Sequence, residues 1–289
     1  MNTPKIYVSK MCITGLVRTN NEDNLWADGQ ALPENHKDLA PESTVFSPER
    51  PVWYAVFDGM GGEQRGETAS FLAASAFGEA VNAVSASGCT TGTPGGTAGT
   101  PGCTTGTPGC TTGTPGGTAG SSSFWLPTDD FMRQLCLTMN TAVAGYAKNM
   151  NIRTMGTTAV AFCFSGNTMR GFNVGDSRAY RMRDGRLEQI SCDHVTRSLL
   201  TGQDYLAQCI GMRQEKCPPM PTIFESDLRP GDQFLLVSDG VNNMIHYPGI
   251  SAVLSESGTT GEKMEKLRQA VLSAGALDNA TAILIEMTD

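Results

Sequence analysis

The sequence contains no run of about 18 apolar residues, so no segment has the length and hydropathy of a transmembrane helix. Positive charge is scarce, because 21 Lys and Arg stand against 29 Asp and Glu and the formal net charge is −8 at pH 7. This balance predicts no binding to nucleic acid or to an anionic membrane. Residues 1–10 have no apolar core of a secretory signal peptide, so we expect a soluble, cytoplasmic protein.

A low-complexity repeat accounts for most of the unusual composition. Of the 33 glycines among 289 residues, twelve lie between Gly88 and Gly120, where seven-residue units such as Cys89–Gly95 recur. The units carry no charged or aromatic side chain, so nothing in them offsets the entropy of ordering the backbone. We expect one domain over residues 1–289, interrupted by a disordered, low-complexity insertion at about 87–123.

No Cys-x-x-Cys pair occurs among the nine cysteines, which argues against a zinc site. In a chain without a secretory signal, free buried thiols are the expected state of the six cysteines outside the repeat. These six are Cys12, Cys136, Cys163, Cys192, Cys209 and Cys217.

Hydrophobic periodicity predicts several antiparallel strands and a few long helices, which together favour an α+β layered fold with one core. Strands are predicted at Lys5–Ile13, Val52–Phe57, Thr157–Phe164, Arg170–Val174, Arg178–Arg183, Leu187–Ile190, Gln233–Val237 and Ala280–Met287. Helices are predicted at Glu67–Val84, Phe131–Met150 and Glu262–Ser273. The dipeptide Asp184-Gly185 suits a tight hairpin turn between two of these strands.

Acidic residues recur where apolar strands end or begin, at Asp58, Asp239 and Asp278. A single Asp-Gly is most simply a turn, and spacing alone does not show that these carboxylates converge. If they met at one sheet rim, their repulsion would raise their pKa values, and a divalent cation would remove that penalty. An all-oxygen ligand set suits Mg²⁺ or Mn²⁺.

Six ordered motifs closely resemble the metal-dependent 2C-type serine/threonine protein phosphatases, in the manner of bacterial members. They are Arg18–Asp23 (RTNNED), Val56–Gly62 (VFDGMGG), Gly156–Ala159 (GTTA), Gly175–Tyr180 (GDSRAY), Val237–Gly240 (VSDG) and Asp278–Thr281 (DNAT). The resemblance runs from about Lys10 to Glu286, apart from the repeat. It implies a four-layer α-β-β-α sandwich with two central antiparallel sheets and a binuclear metal site at one end.

The resemblance also implies a role for each motif residue, with two Mn²⁺ or Mg²⁺ ions per chain. Asp58 would bridge both ions, Gly59 would add its carbonyl, and Asp239, Asp278 and Glu22 would complete the ligand set. Asp23 would orient ion-bound water, Asp176 would serve that role or a weak third ion, and Arg18 would grip the substrate phosphate. A water shared by the ions would attack phosphorus, so no phosphoenzyme is expected. Gly61 and Gly62 would allow the chain a close approach to the ions.

Several positions depart from the family pattern. Met60 stands where many members carry a histidine that could act as general acid, so water is the simpler proton donor to the leaving group. His36 and His246 are poor substitutes for it, and His194 is expected to be structural. Asn243 replaces an aspartate that serves a third ion in some members. The stretch Asp193–Pro221, where the family has a flap beside the site, matches poorly.

The resemblance implies a protein-serine/threonine phosphatase, a hydrolase with phosphorylated proteins as substrates and a serine/threonine kinase as its functional counterpart. Two alternatives stay open at this point. One is a relative that binds phosphoproteins without catalysis, although Asp58, Asp239 and Asp278 are all present. The other is a metal-dependent hydrolase of small phosphomonoesters.

Overall fold

A computed structural model describes residues 5–46, 50–60, 65–86, 125–198, 202–212 and 217–288. The repeat at 88–120 and the pair Gly61 and Gly62 lie outside these residues. The single-domain organisation with a disordered insertion therefore stays a prediction.

One antiparallel sheet is built around the two ends of the described chain. Its strands are β1 (Lys5–Ile13), β4 (Leu39–Phe46), β9 (Arg178–Arg183), β10 (Arg186–Gln189), β14 (Gln233–Val237) and β15 (Ala280–Thr288). Their spatial order is β10-β9-β14-β15-β1-β4. Strand β1 pairs with β15 along its whole length, from Lys5 opposite Thr288 to Ile13 opposite Ala280. Residues distant in sequence therefore meet in the middle of this sheet.

A second antiparallel sheet carries the middle of the chain. Its strands are β2 (Asp23–Ala27), β3 (Gln30–Ala31), β5 (Val52–Met60), β6 (Gly156–Thr157), β7 (Ala159–Ser165), β8 (Thr168–Val174) and β13 (Thr222–Asp227). The order is β13-β8-β7-β5-β2-β3, and β6 pairs with the end of β5. All seven residues of β7 are buried, as expected for a central strand covered on both faces. A separate hairpin joins β11 (Val195–Arg197) to β12 (Asp204–Leu206).

The helices in the described part of the chain are α1 (Gly66–Ala86), α2 (Asp129–Asn149), α3 (Asp239–Ser255) and α4 (Thr260–Ser273). The Thr128 side chain caps α2 by accepting a hydrogen bond from the Phe131 N–H. A capping box between Thr259 and Glu262 starts α4. None of these helices is both long enough and apolar enough to cross a lipid bilayer.

The helices cover the outer faces of the two sheets, so the molecule has four layers. The helix pair α1 and α2 packs on the second sheet, where Phe77 contacts the buried rings of Trp53 and Phe57. The pair α3 and α4 packs on the first sheet through residues such as Val241 and Leu267. A third apolar cluster, which includes Ile6, Val56, Phe162, Phe234 and Ile285, fills the space between the sheets. The predicted α-β-β-α sandwich is confirmed.

The sequence did not predict strands β2, β3, β4, β11, β12 and β13, and apart from shifts of one or two residues at element ends, the prediction differs from the structure at three further places. Strand β5 does not end at Phe57 but continues through Asp58 and Gly59 to Met60. The strand predicted at Thr157–Phe164 is interrupted at Thr158. Helix α3 was missed, because Pro248 lies inside it and the non-helical φ of 48° at His246 kinks it, which hides the helical period.

The six cysteines outside the repeat are free thiols, as predicted, but not all of them are buried. Cys12, Cys136 and Cys163 are buried, where burial raises the pKa of each thiol. Cys192 and Cys217 are exposed, which corrects the expectation for these two. Both lie in the connections around the β11–β12 hairpin rather than in a sheet or helix that packs on the core.

Alanine substitutions at two glycines in the helices of one outer layer should have opposite effects on stability. A Cβ at Gly78 of α1 would lie 1.9 Å from Cζ3 of the buried Trp26, whereas a Cβ at Gly145 of α2 would meet nothing within 4 Å. We predict that Gly78→Ala lowers the free energy of unfolding by about 1–3 kcal/mol through overpacking. Gly145→Ala, the matched control, should raise it by about 0.5–1 kcal/mol. Urea denaturation measures both, and a stabilised Gly78→Ala variant would contradict the packing described.

Candidate active site

A pocket of about 300 Å³ opens at one end of the sandwich, where β5 and β14 end and β15 begins. It collects most of the residues that the sequence motifs singled out. Its lining residues are Arg18, Glu22, Asp58, Gly59, Met60, Thr158, Asp176, Leu206, Asp239, Asp278 and Asn279. Each of the six sequence motifs therefore contributes at least one residue to the lining of the pocket.

The Thr157-Thr158 segment, where β6 ends and before β7 begins, holds the backbone of Asp58. Its N–H donates to Thr158 Oγ1 (3.0 Å), and its carbonyl accepts from the Thr158 N–H and from Thr157 Oγ1 (both 2.9 Å). The Thr158 hydroxyl is in turn 2.6 Å from Ser177 Oγ. This network fixes where the Asp58 carboxyl group stands in the pocket.

The carboxyl groups of Asp58 and Asp239 lie in hydrogen-bonding contact, and this contact opposes the rise in the pKa of Asp239. Burial raises the pKa of Asp58 well above its ordinary range, and the nearby charge of Asp23 raises it further. Burial and then the charge of Asp278 also raise the pKa of Asp239. Two carboxyl groups in contact need a proton or a cation between them, since like charges so close do not both ionise freely.

Asp23 lies behind Asp58, directly opposite it in the register of β2 and β5. Its side chain is 2% exposed, and Oδ2 accepts hydrogen bonds from Ser238 Oγ (2.8 Å) and Thr281 Oγ1 (2.7 Å). Burial raises the pKa of Asp23 to about 7, although the two hydroxyl donors oppose the shift. Asp23 thus ties the starts of β2, α3 and β15 together beneath the pocket.

Glu22 is positioned by the buried side chain of Asn279, which lies between two loops. Asn279 Oδ1 accepts from the Glu22 N–H (2.8 Å), while Nδ2 donates to the carbonyls of Thr14 (2.9 Å) and Asn20 (2.8 Å). The Glu22 carboxyl group accepts a hydrogen bond from the backbone of Gly66 at the start of α1, and burial raises its pKa.

Gly59 is required where three stretches of backbone come together. A Cβ on it would lie 2.2 Å from the Gly66 carbonyl oxygen and 2.3 Å from that of Glu22. No side chain fits at this distance, so the glycine of the Asp-Gly pair serves close approach rather than a turn.

Arg18 lies at the rim of the pocket and forms an ion pair with Asp278, with Nη2 2.7 Å from Oδ2. The guanidinium group is 49% exposed and the Asp278 carboxylate is 36% exposed. Arg18 therefore keeps donors available to solvent. It also neutralises a carboxylate that the family resemblance assigns to a metal ion.

The remaining predicted residues occupy clear positions. Asp176 is half-buried in the pocket wall, where burial and the charge of Asp239 raise its pKa to about 6. Asn243 donates to Asp239 Oδ2 (3.3 Å), so it supports a pocket carboxylate. His194 Nδ1 accepts from the Gly175 N–H (3.2 Å) and its Nε2 is 2.9 Å from Thr222 Oγ1, which agrees with the expected structural role.

The sequence motifs did not reveal the roles of the polar residues that hold these acids in place. Thr158, Ser238, Asn279 and Thr281 all stand within quoted motifs, but they were given no function there. Ser238 and Asn279 are marked by their position next to Asp239 and Asp278 in the sequence. The acidic residues that the four polar residues hold lie 100 to 258 positions away, from the Thr158–Asp58 contact to the Thr281–Asp23 contact, so local pattern does not reveal these contacts.

The donor set fits a hard divalent cation, since it consists of carboxylates and backbone carbonyl oxygens. A cation bound between Asp58 and Asp239 would remove the repulsion between these two carboxylates. Within the described residues, no three Asp, Glu, His or Cys groups are yet close enough together to hold an ion. To bind a cation, the carboxylate side chains would have to rotate toward it.

Residues 42–273 match the family model described as Protein phosphatase 2C. The chain belongs to the protein phosphatase 2C family. A serine/threonine protein phosphatase of Mycobacterium tuberculosis, PstP, is 25% identical over 95% of this chain and 44% of its own length. The protein phosphatase PhpP of Streptococcus pneumoniae is 31% identical over 47% of this chain and 60% of its own length. The chain thus spans less than half the length of PstP.

Solved structures share the fold of this phosphatase 2C family member. The crystal structure of PstP/Ppp from M. tuberculosis has a TM-score of 0.68 at 22% identity, covering 99% of this chain and 100% of that chain. A structure of the PstP catalytic domain in complex with two manganese ions has a TM-score of 0.66 at 23% identity, with the same coverage.

The raised pKa values of the pocket carboxyl groups predict how the stability of the cation-free protein depends on pH. A carboxyl group whose pKa is higher in the folded state favours folding while protonated, and that stability is lost as pH rises through the folded pKa. For Asp176 this stability is lost from about pH 4 up to about pH 6, and for Asp23 it is lost from about pH 4 up to about pH 7. We therefore predict that chelator-treated protein loses stability between about pH 4 and pH 7.

Removing one pocket charge should relieve this loss. At pH 8 in chelator, Asp58→Asn should melt at least roughly 2–4 °C above the wild type, which corresponds to about 1 kcal/mol in a domain of this size. Asp184→Asn, in the exposed β9–β10 turn, is the matched control and should melt with the wild type. Differential scanning calorimetry across pH measures both, and an unchanged pH dependence in Asp58→Asn would contradict the assignment of the repulsion.

Proposed function

We propose that this chain is a metal-dependent phosphatase that hydrolyses phosphoserine and phosphothreonine in proteins. The observation that carries the proposal is the pocket that brings the carboxyl groups of Asp58, Asp239 and Asp278 together beside the exposed Arg18. Membership of the protein phosphatase 2C family supports it. The relatives PstP and PhpP are both protein phosphatases, which supports the choice of substrate class.

The residues assigned to two Mn²⁺ or Mg²⁺ ions are Glu22, Asp58, Asp239 and Asp278, with the carbonyl of Gly59. The manganese complex of the PstP catalytic domain supports this choice of ion. Bound at these residues, divalent cations supply Lewis acidity toward phosphoryl oxygens and lower the pKa of water. Asp176 is kept as a candidate for a weaker further ion, and Asp23 as the residue that orients water through its fixed carboxylate.

The chain's own residues would bind and orient the phosphate ester. Arg18 has exposed donors that suit phosphate oxygens, and its charge offsets charge on the phosphoryl group. Among the described residues that line the pocket, there is no histidine, cysteine or lysine, and the Thr158 hydroxyl is engaged by Ser177 and by the Asp58 N–H. We infer that water supplies the attacking oxygen and protonates the departing serine or threonine oxygen, since Met60 cannot.

The cellular setting belongs to the same proposal. A phosphoprotein substrate requires a serine/threonine kinase that makes it. We therefore propose a cytoplasmic enzyme that opposes such a kinase.

The first test of the proposal concerns the pocket carboxylates. Asp58→Asn and Asp239→Asn should each lower kcat toward a phosphothreonine peptide in Mn²⁺ at least about a hundredfold, and chelator should abolish wild-type turnover. Mn²⁺ should also raise the melting temperature of the wild type more than that of Asp58→Asn, a readout independent of activity. Asp184→Asn is the control and should retain wild-type turnover.

Three outcomes of this test separate the functions considered. Turnover of the phosphopeptide supports the proposal. Turnover of p-nitrophenyl phosphate without any phosphopeptide turnover would indicate a hydrolase of small esters. A folded protein that hydrolyses neither would be a non-catalytic relative.

The second test concerns Arg18. A guanidinium–phosphate contact contributes roughly 1.5–3 kcal/mol, so Arg18→Ala should lower kcat/KM for a phosphopeptide about ten- to a hundredfold. The assay uses saturating Mn²⁺, because removing Arg18 also frees Asp278 and so alters cation binding. Arg186→Ala, at an exposed position in β10, is the matched control. If kcat/KM were unchanged in Arg18→Ala, the phosphate-binding role would be excluded.

A further inference from the structure

Three large apolar side chains are exposed at the edge of the pocket. Leu16 is 66% exposed, Val17 is 61% exposed and Leu277 is 57% exposed, which places them among the four most exposed large apolar residues in the described part of the chain. We call Leu16, Val17 and Leu277 the apolar rim. Scattered exposed apolar residues are ordinary, but a group beside a functional pocket marks a binding surface.

Two loops carry the apolar rim, and hydrogen bonds join them. The Leu16 N–H donates to the Ala276 carbonyl (2.9 Å), and Asn279 Nδ2 donates to the Thr14 carbonyl (2.9 Å). Gly15, with φ of 85°, lets the first loop approach the second so closely that a Cβ there would lie 2.5 Å from the Asp278 carbonyl oxygen. The rim is thus built on backbone that is already ordered, which lowers the entropy lost on binding.

The apolar rim adjoins the pocket through its neighbours in the sequence. Val17 immediately precedes Arg18 and Leu277 immediately precedes Asp278, and both of these charged residues line the pocket. A peptide advances about 3.3–3.6 Å per residue when extended. When a phosphorylated side chain enters the pocket, peptide residues one to three positions away therefore fall within reach of the rim.

We propose that the apolar rim binds a large apolar side chain of the phosphoprotein substrate, within three residues of the phosphorylated serine or threonine. The inference rests on the proposed phosphatase function and adds a sequence preference to it. Leu16, Val17 and Leu277 are then residues that determine specificity, while Arg18 and the carboxylates act on the phosphate group itself.

A second copy of the chain is a less suitable occupant of this surface. A stable dimer buries about 800 Å² per subunit, and three side chains supply only a fraction of that area. A single apolar side chain from a peptide matches the size of the rim, and burying it against aliphatic carbon is favourable.

The experiment compares phosphothreonine peptides that differ in one residue. The parent peptide has serine at the three positions on each side of the phosphothreonine, and six further peptides each carry one leucine at one of these positions. In the wild type with Mn²⁺, leucine at one or more positions should raise kcat/KM about three- to tenfold over the parent, as expected for partial burial of one aliphatic side chain.

The ratio of kcat/KM for each leucine peptide to kcat/KM for the parent peptide is then measured in variants. Because both values come from the same variant, any change in its general activity cancels in this ratio. In the triple variant Leu16→Ser, Val17→Ser, Leu277→Ser the ratio should fall to near one, and in Leu277→Ser alone it should fall part of the way. Val45→Ser is the matched control, since Val45 is 54% exposed and pairs with Tyr7, toward the end of β1 away from the pocket. Its ratio should equal that of the wild type. If the triple variant did not fold, the single variants at positions 16, 17 and 277 would carry the comparison.

The outcomes distinguish the inference from the function on which it rests. A wild type that hydrolyses all seven peptides equally would overturn the apolar rim and leave the phosphatase function standing. A leucine preference that survives in every rim variant would overturn it as well. A wild type that hydrolyses none of the peptides would overturn both. A dimer in sedimentation velocity that the triple variant abolishes, together with no leucine preference, would assign the surface to a second copy.

Discussion

Negative charge held at one end of an apolar sandwich is the constraint on which the other features of this chain depend. Asp58 and Asp239 share a hydrogen bond, Asp23 lies directly behind them, and Asp278 stands at the rim. Burial raises the pKa of the first three, so the site favours whatever neutralises it. In the protein without a cation, the raised pKa values favour protonation of these acids, and the Arg18 guanidinium group pairs with Asp278. A divalent cation would take it over, and this is why the same residues suggest phosphoryl chemistry.

The fold supplies what is needed to keep such a group of charges in place. The strands that deliver Asp58, Asp239 and Asp278 are fixed by apolar packing between the sheets and beneath the helices. Close to the acids, hydroxyl and amide side chains replace apolar contacts, as Thr158, Ser238 and Asn279 illustrate. Small residues then allow backbone segments to meet at Gly59 and Gly15. Stability and site geometry therefore come from different residues, and the costly electrostatics is confined to one end.

The sequence predicted the class and layers of the fold well, because long apolar elements such as β1, β7 and α2 have clear periodicity. It did less well where local signals conflict with tertiary packing. β5 continues through Asp58-Gly59, a dipeptide that usually forms a turn, because Gly59 is pinned against Glu22 and Gly66. β4 contains Pro41 and polar residues, which are tolerated at the edge of a sheet but give no strand pattern. The exposure of Cys192 and Cys217 was equally beyond local pattern.

For the site, the order of the six motifs was enough to single out Arg18, Glu22, Asp58, Asp239 and Asp278, because a motif preserves residue type and local spacing. Sequence alone also predicted an all-oxygen ligand set, and the described residues that line the pocket include no histidine or cysteine. Only the tertiary structure decided that Arg18 is bound to Asp278, that Asn279 joins two loops, and that Leu16, Val17 and Leu277 share one rim. These contacts join residues up to 265 positions apart, which the pairing of β1 with β15 brings together and which no local pattern encodes.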